Sequence, residues 1–241
     1  MLGPQRPSET LHGHLQLQGG NYDDREFEGV LNLPLVEDTL MVRLSYKDVE
    51  RDGFTRDVGP AAFGYSDVCA PTAQPLCAAF APGERSPGFA GKDYDNKDWW
   101  HGCIGVLWRP TESVENYLVA FRSESEDNGT GFVLSGVGPE PNVATLAGNF
   151  AGNVFDPAIA QGVLDRQREL GPRKTAMNHD QFTRIEHEGY INTLSIQLSD
   201  DLQLKNILSY QTMEVGYDWD LDGSLLPMLA QINPFIADGD T

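Results

Sequence analysis

The sequence predicts an all-β fold, an antiparallel transmembrane β-barrel, and its short polar turns are the first reason. Three turns, at residues 36–39, 109–113 and 199–201, each join two stretches in which apolar and polar residues alternate. The connections between these hairpins are far longer than the turns themselves. Tight turns at one end of a sheet and long loops at the other are typical of barrels that cross a membrane.

The second reason is a two-residue period, which places successive side chains on opposite faces of a strand and is not the period of a helix. The segments with this period, seven in all, are residues 11–18, 26–35, 40–47, 99–108, 116–124, 190–198 and 202–211. No helix-length apolar run is needed in such a protein, because each barrel strand crosses with only about ten residues. The sequence contains no such run and no signal-peptide core at its start.

The third reason is the character of the two faces. The polar face of these strands carries Gln, Arg, Lys, Glu and His, as a water-filled lumen permits. Aromatic residues recur near strand ends on the apolar face, as they do at membrane interfaces. The aromatic residues assigned to this face are Tyr46, Trp108, Tyr117, Tyr190 and Tyr210. Val119 and Phe121 alternate in phase with Tyr117 and are assigned to the apolar face with it.

A soluble β-sandwich also alternates, so the sequence leaves it open as an alternative. The two folds differ in what touches the apolar face. In a barrel, Leu31, Val42, Val119 and Leu208 contact lipid, whereas in a sandwich they contact a dry protein core.

One helix is predicted inside the third long connection. Asp156 is a good N-cap, Pro157 suits the first helical position, and Gly171 followed by Pro172 ends the helix. Its apolar stripe consists of Ile159, Val163, Leu164 and Leu170.

Charge and motifs exclude several functions. A net charge of −19 argues against nucleic acid as a partner, because phosphate binding needs clustered Lys and Arg. The chain has no nucleophile elbow, no zinc-protease motif and no phosphate-binding glycine loop. We therefore expect a protein that is not an enzyme and needs no cofactor.

The cysteines predict a loop disulfide. Cys69 and Cys77 lie close together in a Pro/Ala-rich loop, and this pattern favours a bridge formed in an oxidising compartment, with two free thiols as the alternative. Cys103 stands alone on a predicted strand.

Two groups are weak candidates for metal ligands. Asp218, Asp220 and Asp222 match the first half of a calcium loop, although Leu229 occupies the position of the bidentate acid. His12 and His14 alternate onto the same strand face and could share a metal. The alternative for the three aspartates is a carboxylate-rich surface loop without metal, and the alternative for the two histidines is a pair of polar lumen residues.

Ligand binding is predicted where the second long connection returns to the sheet. Trp99, Trp100 and His101 lie there, and Arg122 and Glu124 stand at the equivalent height on the next strand. Aromatic rings with charged neighbours suit recognition of an aromatic or cationic ligand. Ordinary packing of an aromatic girdle and a polar lumen is the alternative.

Several of these segments together resemble the first barrel strands of TonB-dependent outer-membrane receptors. The segments that carry the resemblance are residues 21–29, 30–35, 40–45, 51–55, 94–99, 107–111 and 206–211. Their order and spacing are more specific than any one of them alone, and the resemblance covers most of the chain.

This resemblance implies a 22-stranded barrel with short periplasmic turns and long extracellular loops, filled by an N-terminal plug. It implies uptake of ferric siderophores or similar scarce nutrients in the outer membrane, driven through the TonB complex. Residues 1–10 are expected to end the plug or its linker, and residues 11–241 to form about seven barrel strands. A piece of this size is expected to be inactive alone. The alternatives are a soluble secreted β-sheet domain that binds a glycan or protein, and a nonfunctional receptor remnant.

Overall fold

The computed structural model describes residues 5–64, 90–136, 157–177, 180–221, 223–225 and 230–236, which contain eleven strands and two helices. In chain order the strands are β1 His12–Gly19, β2 Arg25–Val36, β3 Leu40–Arg51, β4 Thr55–Asp57, β5 Asp93–Tyr94, β6 Lys97–Thr111, β7 Val114–Asp127, β8 Lys174–Thr175, β9 Phe182–Ser199, β10 Leu202–Asp220 and β11 Ala230–Ile236. The helices are α1 Gly59–Phe63 and α2 Pro157–Leu170.

Eight of the strands form one antiparallel sheet in the order β1-β2-β3-β6-β7-β9-β10-β11. The all-β prediction is therefore confirmed, and the seven predicted strands are all in this sheet. The prediction of seven was short by one, because β11 pairs with the upper part of β10. Over the described residues β1 and β11 are the two edges of the sheet, so it does not close into a barrel.

The three tight turns are where the sequence places them. Between β2 and β3 the Thr39 N–H donates to the Val36 carbonyl over 3.1 Å, and Asp38 has a φ of 54°, a conformation that Asp tolerates better than most residues. Two residues suffice between β6 and β7 and between β9 and β10. All three turns lie at one end of the sheet, and the long connections leave from the other.

One face of the sheet, here called the apolar face, is formed by residues that pair directly across neighbouring strands. A typical row consists of Leu31, Leu44, Ile104, Ala120, Tyr190 and Tyr210. The large side chains of this face that are exposed are Leu15, Leu17, Phe27, Leu31, Leu44, Tyr46, Ile104, Trp108, Tyr190, Leu204, Leu208 and Tyr210. Leu15 is 66% exposed and Leu208 is 59% exposed.

The opposite face, here called the polar face, carries many charged and amide side chains of the same strands, including Glu28, Lys47 and Gln211. A typical row consists of Glu28, Lys47, His101, Ser123, His187 and Met213. The buried side chains of the sheet lie mainly on this face near the tight turns, where Met41 is 0%, Leu107 is 1% and Val119 is 4% exposed.

The sequence assigned three residues of β7 to the wrong face. Tyr117 pairs with Leu107, Val119 with Gly105 and Phe121 with Cys103, so all three lie on the polar face. The apolar face of β7 instead carries Leu118 and Ala120 in its middle, which pair with Asn192 and Tyr190. Residues 117–121 are apolar in both phases of the alternation, so the period alone does not say which phase faces which side.

The remaining elements form a cap at the end of the sheet opposite the tight turns. Strand β4 pairs antiparallel with β5 and parallel with β8, and α1 and α2 pack beside them. Their side chains form a small core of their own that includes Phe63, Tyr94, Val163, Leu164 and Met177. The helix predicted over this region is confirmed by α2, Asp156 lies outside the described residues, and α1 was not predicted. Neither described helix is long and apolar enough to cross a membrane.

Candidate functional site

The five predicted ligand-binding residues lie at one height but on two faces. Trp100 pairs directly with Glu124, and Gly102 pairs with Arg122, so these side chains belong to the apolar face. Trp99 and His101 alternate onto the polar face. The five therefore do not line one common space, because neighbours along a strand point to opposite sides. Their role in binding remains a prediction.

On the apolar face, the charged members of this group belong to an ion-pair network. Arg122 lies 3.5 Å from both Glu186 and Glu188, and Arg184 lies 3.3 Å from Glu124 and 2.8 Å from Glu186. These residues continue β7 and β9 beyond the apolar rows, toward the cap. The apolar face therefore ends in a charged zone at this height.

Trp100 marks the boundary between these two zones. Its ring stacks on Tyr46 with centroids 6.1 Å apart, and Tyr46 lies 6.1 Å from the ring of Phe27. The three rings form a continuous aromatic row across β2, β3 and β6.

On the polar face, Trp99 belongs to a group of charged side chains. The Lys47 ammonium lies 6.0 Å from the centre of the Trp99 ring and pairs with Glu26 at 3.2 Å and Glu28 at 3.6 Å. His14 of β1 lies 3.2 Å from the same Glu28 carboxylate. The Lys47 ammonium and two carboxylates thus lie together on the polar face, beside the Trp99 indole ring.

His101 belongs to a neighbouring aromatic group that sequence analysis did not find. Its ring stacks on Phe121 at 6.4 Å, and Phe121 meets the edge of His187 at 5.0 Å. The Nε2 atom of His187 lies 3.3 Å from the Gln211 side-chain oxygen. His187 is distant in sequence from His101, and only the pairing of β7 with β9 brings them together.

We call Lys47, Trp99, His101, Phe121 and His187 the polar-face cluster. All five side chains are partly exposed and share one face of the sheet below the cap. Imidazoles donate and accept hydrogen bonds, and the indole and phenyl rings offer stacking surfaces. The cluster can therefore hold a polar, partly aromatic solute but shows no nucleophile–base arrangement for covalent chemistry.

The candidate metal ligands are engaged elsewhere or lie outside the described residues. The Asp220 carboxylate accepts a hydrogen bond from the Gly223 N–H at 3.2 Å, and Asp222 is not among the described residues. His12 contacts the Thr10 carbonyl at 3.1 Å, whereas His14 contacts Glu28. Within the described ranges, no three His, Cys, Asp or Glu side chains are arranged to hold a metal ion.

The predicted disulfide also lies outside the part of the chain that the structure describes, since neither Cys69 nor Cys77 is within it. Cys103, which is described, is a free thiol on the polar face.

The cap is organised around a buried carboxylate. Asp57 is 1% exposed and accepts hydrogen bonds from the Gly59 N–H at 2.7 Å, the Met177 N–H at 3.0 Å and the Tyr94 hydroxyl at 3.3 Å. Burial raises the pKa of Asp57, and the donated hydrogen bonds oppose that rise. Burial and the neighbouring Asp57 also raise the pKa of Tyr94.

The direction of the Asp57 shift fixes its effect on stability. A carboxyl whose pKa is higher in the folded than in the unfolded protein favours folding most below the unfolded-state pKa. It loses that contribution as the pH rises through the folded-state pKa. The hydrogen bonds of Asp57 join β4, α1 and β5 to the segment after β8, so its role is structural.

The described part of the chain is thus an antiparallel sheet with one apolar and one polar face, and the cap lies at the end that bears the long connections. No protein-family model, curated protein or solved structure matches this chain.

Proposed function

We propose that this chain forms part of the barrel wall of a TonB-dependent receptor of the bacterial outer membrane, which takes up ferric siderophores or similar scarce nutrients. The observation that supports the proposal most strongly is the exposure of the large side chains of the apolar face between the tight turns and the charged zone. In a soluble sandwich the apolar face is the buried one.

The size of the exposed apolar area favours lipid over water. The exposed side chains of the apolar face extend from β1 to β10, which is about 30 Å at the usual spacing between strands. On β6, Gly102 beside Tyr46 and Trp108 near the turn are about 20 Å apart at the usual rise per residue. Soluble monomers rarely expose a contiguous apolar patch above about 600 Å², and the whole area, in which Asn116, Asn192 and Asn206 lie among the apolar side chains, is about that size.

The vertical order of residues also suits a membrane. Trp108 lies near the tight turns, Tyr190 and Tyr210 share the row of Leu31, Leu44 and Ile104, and Tyr46 and Trp100 lie beyond that row, toward the cap. Barrels carry an apolar band about 25 Å tall between two aromatic girdles. The charged zone around Arg122 begins in the row of Tyr46, on the side of the cap, so we place the tight turns in the periplasm and the cap outside the cell.

The receptor part of the proposal rests on the family resemblance and on the polar face. The polar-face cluster would face the lumen below the cap, where a solute entering from outside would meet it. Because the described strands form an open sheet, we propose transport for a complete barrel that engages the TonB complex and not for this sheet alone.

Attaching a nitroxide to each face tests the membrane proposal. In a background in which the three cysteines are replaced by serine, Leu208→Cys and Ser209→Cys label adjacent positions on opposite faces. In lipid vesicles we expect the label at position 208 to collide mainly with oxygen, which concentrates in lipid. The label at position 209 should collide mainly with a water-soluble nickel chelate. Equal access of the chelate to both labels would contradict a membrane location.

Alanine substitutions of the adjacent tryptophans test the binding role. Trp99 faces the polar-face cluster and Trp100 the apolar face, so Trp99→Ala should weaken binding of a ferric siderophore at least about tenfold, as truncation of an aromatic anchor does. Trp100→Ala, the matched control, should change the affinity less than about twofold. Equilibrium dialysis with a radioiron-loaded hydroxamate and a radioiron-loaded catecholate siderophore measures both. Absence of binding by the unmodified chain, or equal losses in the two variants, would refute the proposed ligand site.

A further inference from the structure

Residues 5–10, here called the strap, cross the polar face near the tight turns before the chain enters β1. They form no part of the sheet ladder, so the hydrogen bonds between strands do not hold them. Pro7 is nevertheless buried, and its ring lies over Gly105, where an added Cβ would come within 3.7 Å of the proline Cδ. The strap is therefore docked on the face of the sheet by side chains.

A single asparagine of β2 holds the middle of the strap. The Asn32 oxygen accepts a hydrogen bond from the Ser8 N–H at 2.8 Å, and its amide nitrogen donates to the carbonyls of Ser8 and Thr10, both at 2.7 Å. Asn32 is 0% exposed. Its amide thus satisfies three backbone groups of the strap that no strand partner satisfies.

Two arginine–glutamate pairs hold the strap on either side of Asn32. In one pair the strap supplies the arginine, and in the other it supplies the glutamate. Arg6 of the strap donates to Glu115 of β7 at 2.6 Å, and Arg109 of β6 donates to Glu9 of the strap at 2.7 Å. Arg109 also donates to Glu115 at 3.0 Å, so the four charges form one network across the strap. Three of the four side chains are at least about a third exposed, which makes these pairs weak and sensitive to salt.

The N-terminal end of the strap has further contacts in the middle of the sheet. The Arg43 guanidinium donates to the Gln5 side chain at 3.0 Å, and the Arg6 guanidinium lies 5.2 Å from the centre of the Tyr117 ring. All of these partners belong to the polar face, and none of these contacts is a hydrogen bond between paired strands.

We propose that the strap is a detachable latch, closed by the Asn32 amide and released from the polar face as a unit while the sheet stays paired. Release exposes the Asn32 amide and the surface over Gly105 on the polar face. The ladder hydrogen bonds of β2 and β3 are formed whether or not the strap is docked, so the sheet and the strap have separate stabilities. The proposal holds whatever lies against the apolar face, and it is independent of transport.

Hydrogen exchange of the full chain, read by mass spectrometry of peptides from the strap and from β3, tests the latch. In the unmodified protein we expect the strap to exchange faster than β3, because its opening does not require the sheet to unfold. Asn32→Ala should speed exchange of the strap by about tenfold or more, since three hydrogen bonds to the buried Asn32 amide are lost, and leave β3 within about threefold.

Asn192→Ala is the matched control, because Asn192 lies on the apolar face of β9 and has no contact with the strap. It should leave exchange of the strap unchanged. Equal exchange of the strap and β3 in the unmodified protein, or equal acceleration of both by Asn32→Ala, would show one cooperative unit and overturn the latch. If the exchange rate of the strap were unchanged in Asn32→Ala, the role of the Asn32 amide in holding the strap would equally be overturned.

Discussion

Replacing Leu208 by arginine is expected to destabilise the protein in lipid by about 2–4 kcal/mol, the cost of an arginine near the midplane of a bilayer. Leu208 lies between the row of Trp108 and the row of Tyr210 on the apolar face, and its side chain is 59% exposed, so little protein contact is lost with it. In lipid, the guanidinium would have neither water nor a carboxylate beside it. Urea unfolding of the chain in vesicles, followed by tryptophan fluorescence, measures the difference in free energy.

Ser209→Arg is the matched control for this prediction. Ser209 is the next residue of β10 and lies on the polar face, where a guanidinium stays hydrated, so we expect a change within about 1 kcal/mol. If the two arginine variants lost equal stability, or if Leu208→Arg lost none, the apolar face would not lie in lipid. A soluble sheet domain would then be the better account of the chain.

Asp57→Ala is expected to unfold the cap locally, with a loss of about 2–4 kcal/mol of cap stability. The substitution leaves the buried N–H groups of Gly59 and Met177 and the Tyr94 hydroxyl without the acceptor that joins them. Because the sheet has its own ladder, we expect the loss to be confined to the cap. Hydrogen exchange at Met177 compared with β6 measures this difference.

Asp165→Ala tests whether the effect belongs to the buried site. Asp165 is exposed on α2, and its partners among the described residues are neighbours on its own helix, so its removal should cost less than about 0.5 kcal/mol. Asp57→Asn keeps one acceptor oxygen and should fall between the two alanine variants. A loss that spread equally to β6 would show that the cap and the sheet unfold together, contrary to the prediction.

The sequence alone determined seven of the eight strands of the main sheet, its tight turns and its two-faced character. Polar turn residues such as Asp38 and the alternation around Leu31 or Leu208 are local properties, so a window of about ten residues contains the information. The cap was predicted only in part. The caps and apolar stripe of α2 lie in one continuous segment, whereas α1 and the short strands β4, β5 and β8 depend on partners far along the chain.

The tertiary structure decided what depends on register and on distant partners. Residues 117–121 are apolar in both phases, and only pairing with β6 and β9 shows that Val119 lies on the polar face. The same pairing brings His187 to His101. Asn32 and Asp57 look like ordinary polar residues in the sequence. Each satisfies backbone groups of a remote segment, and such a contact has no local signal because it exists only once the chain has folded.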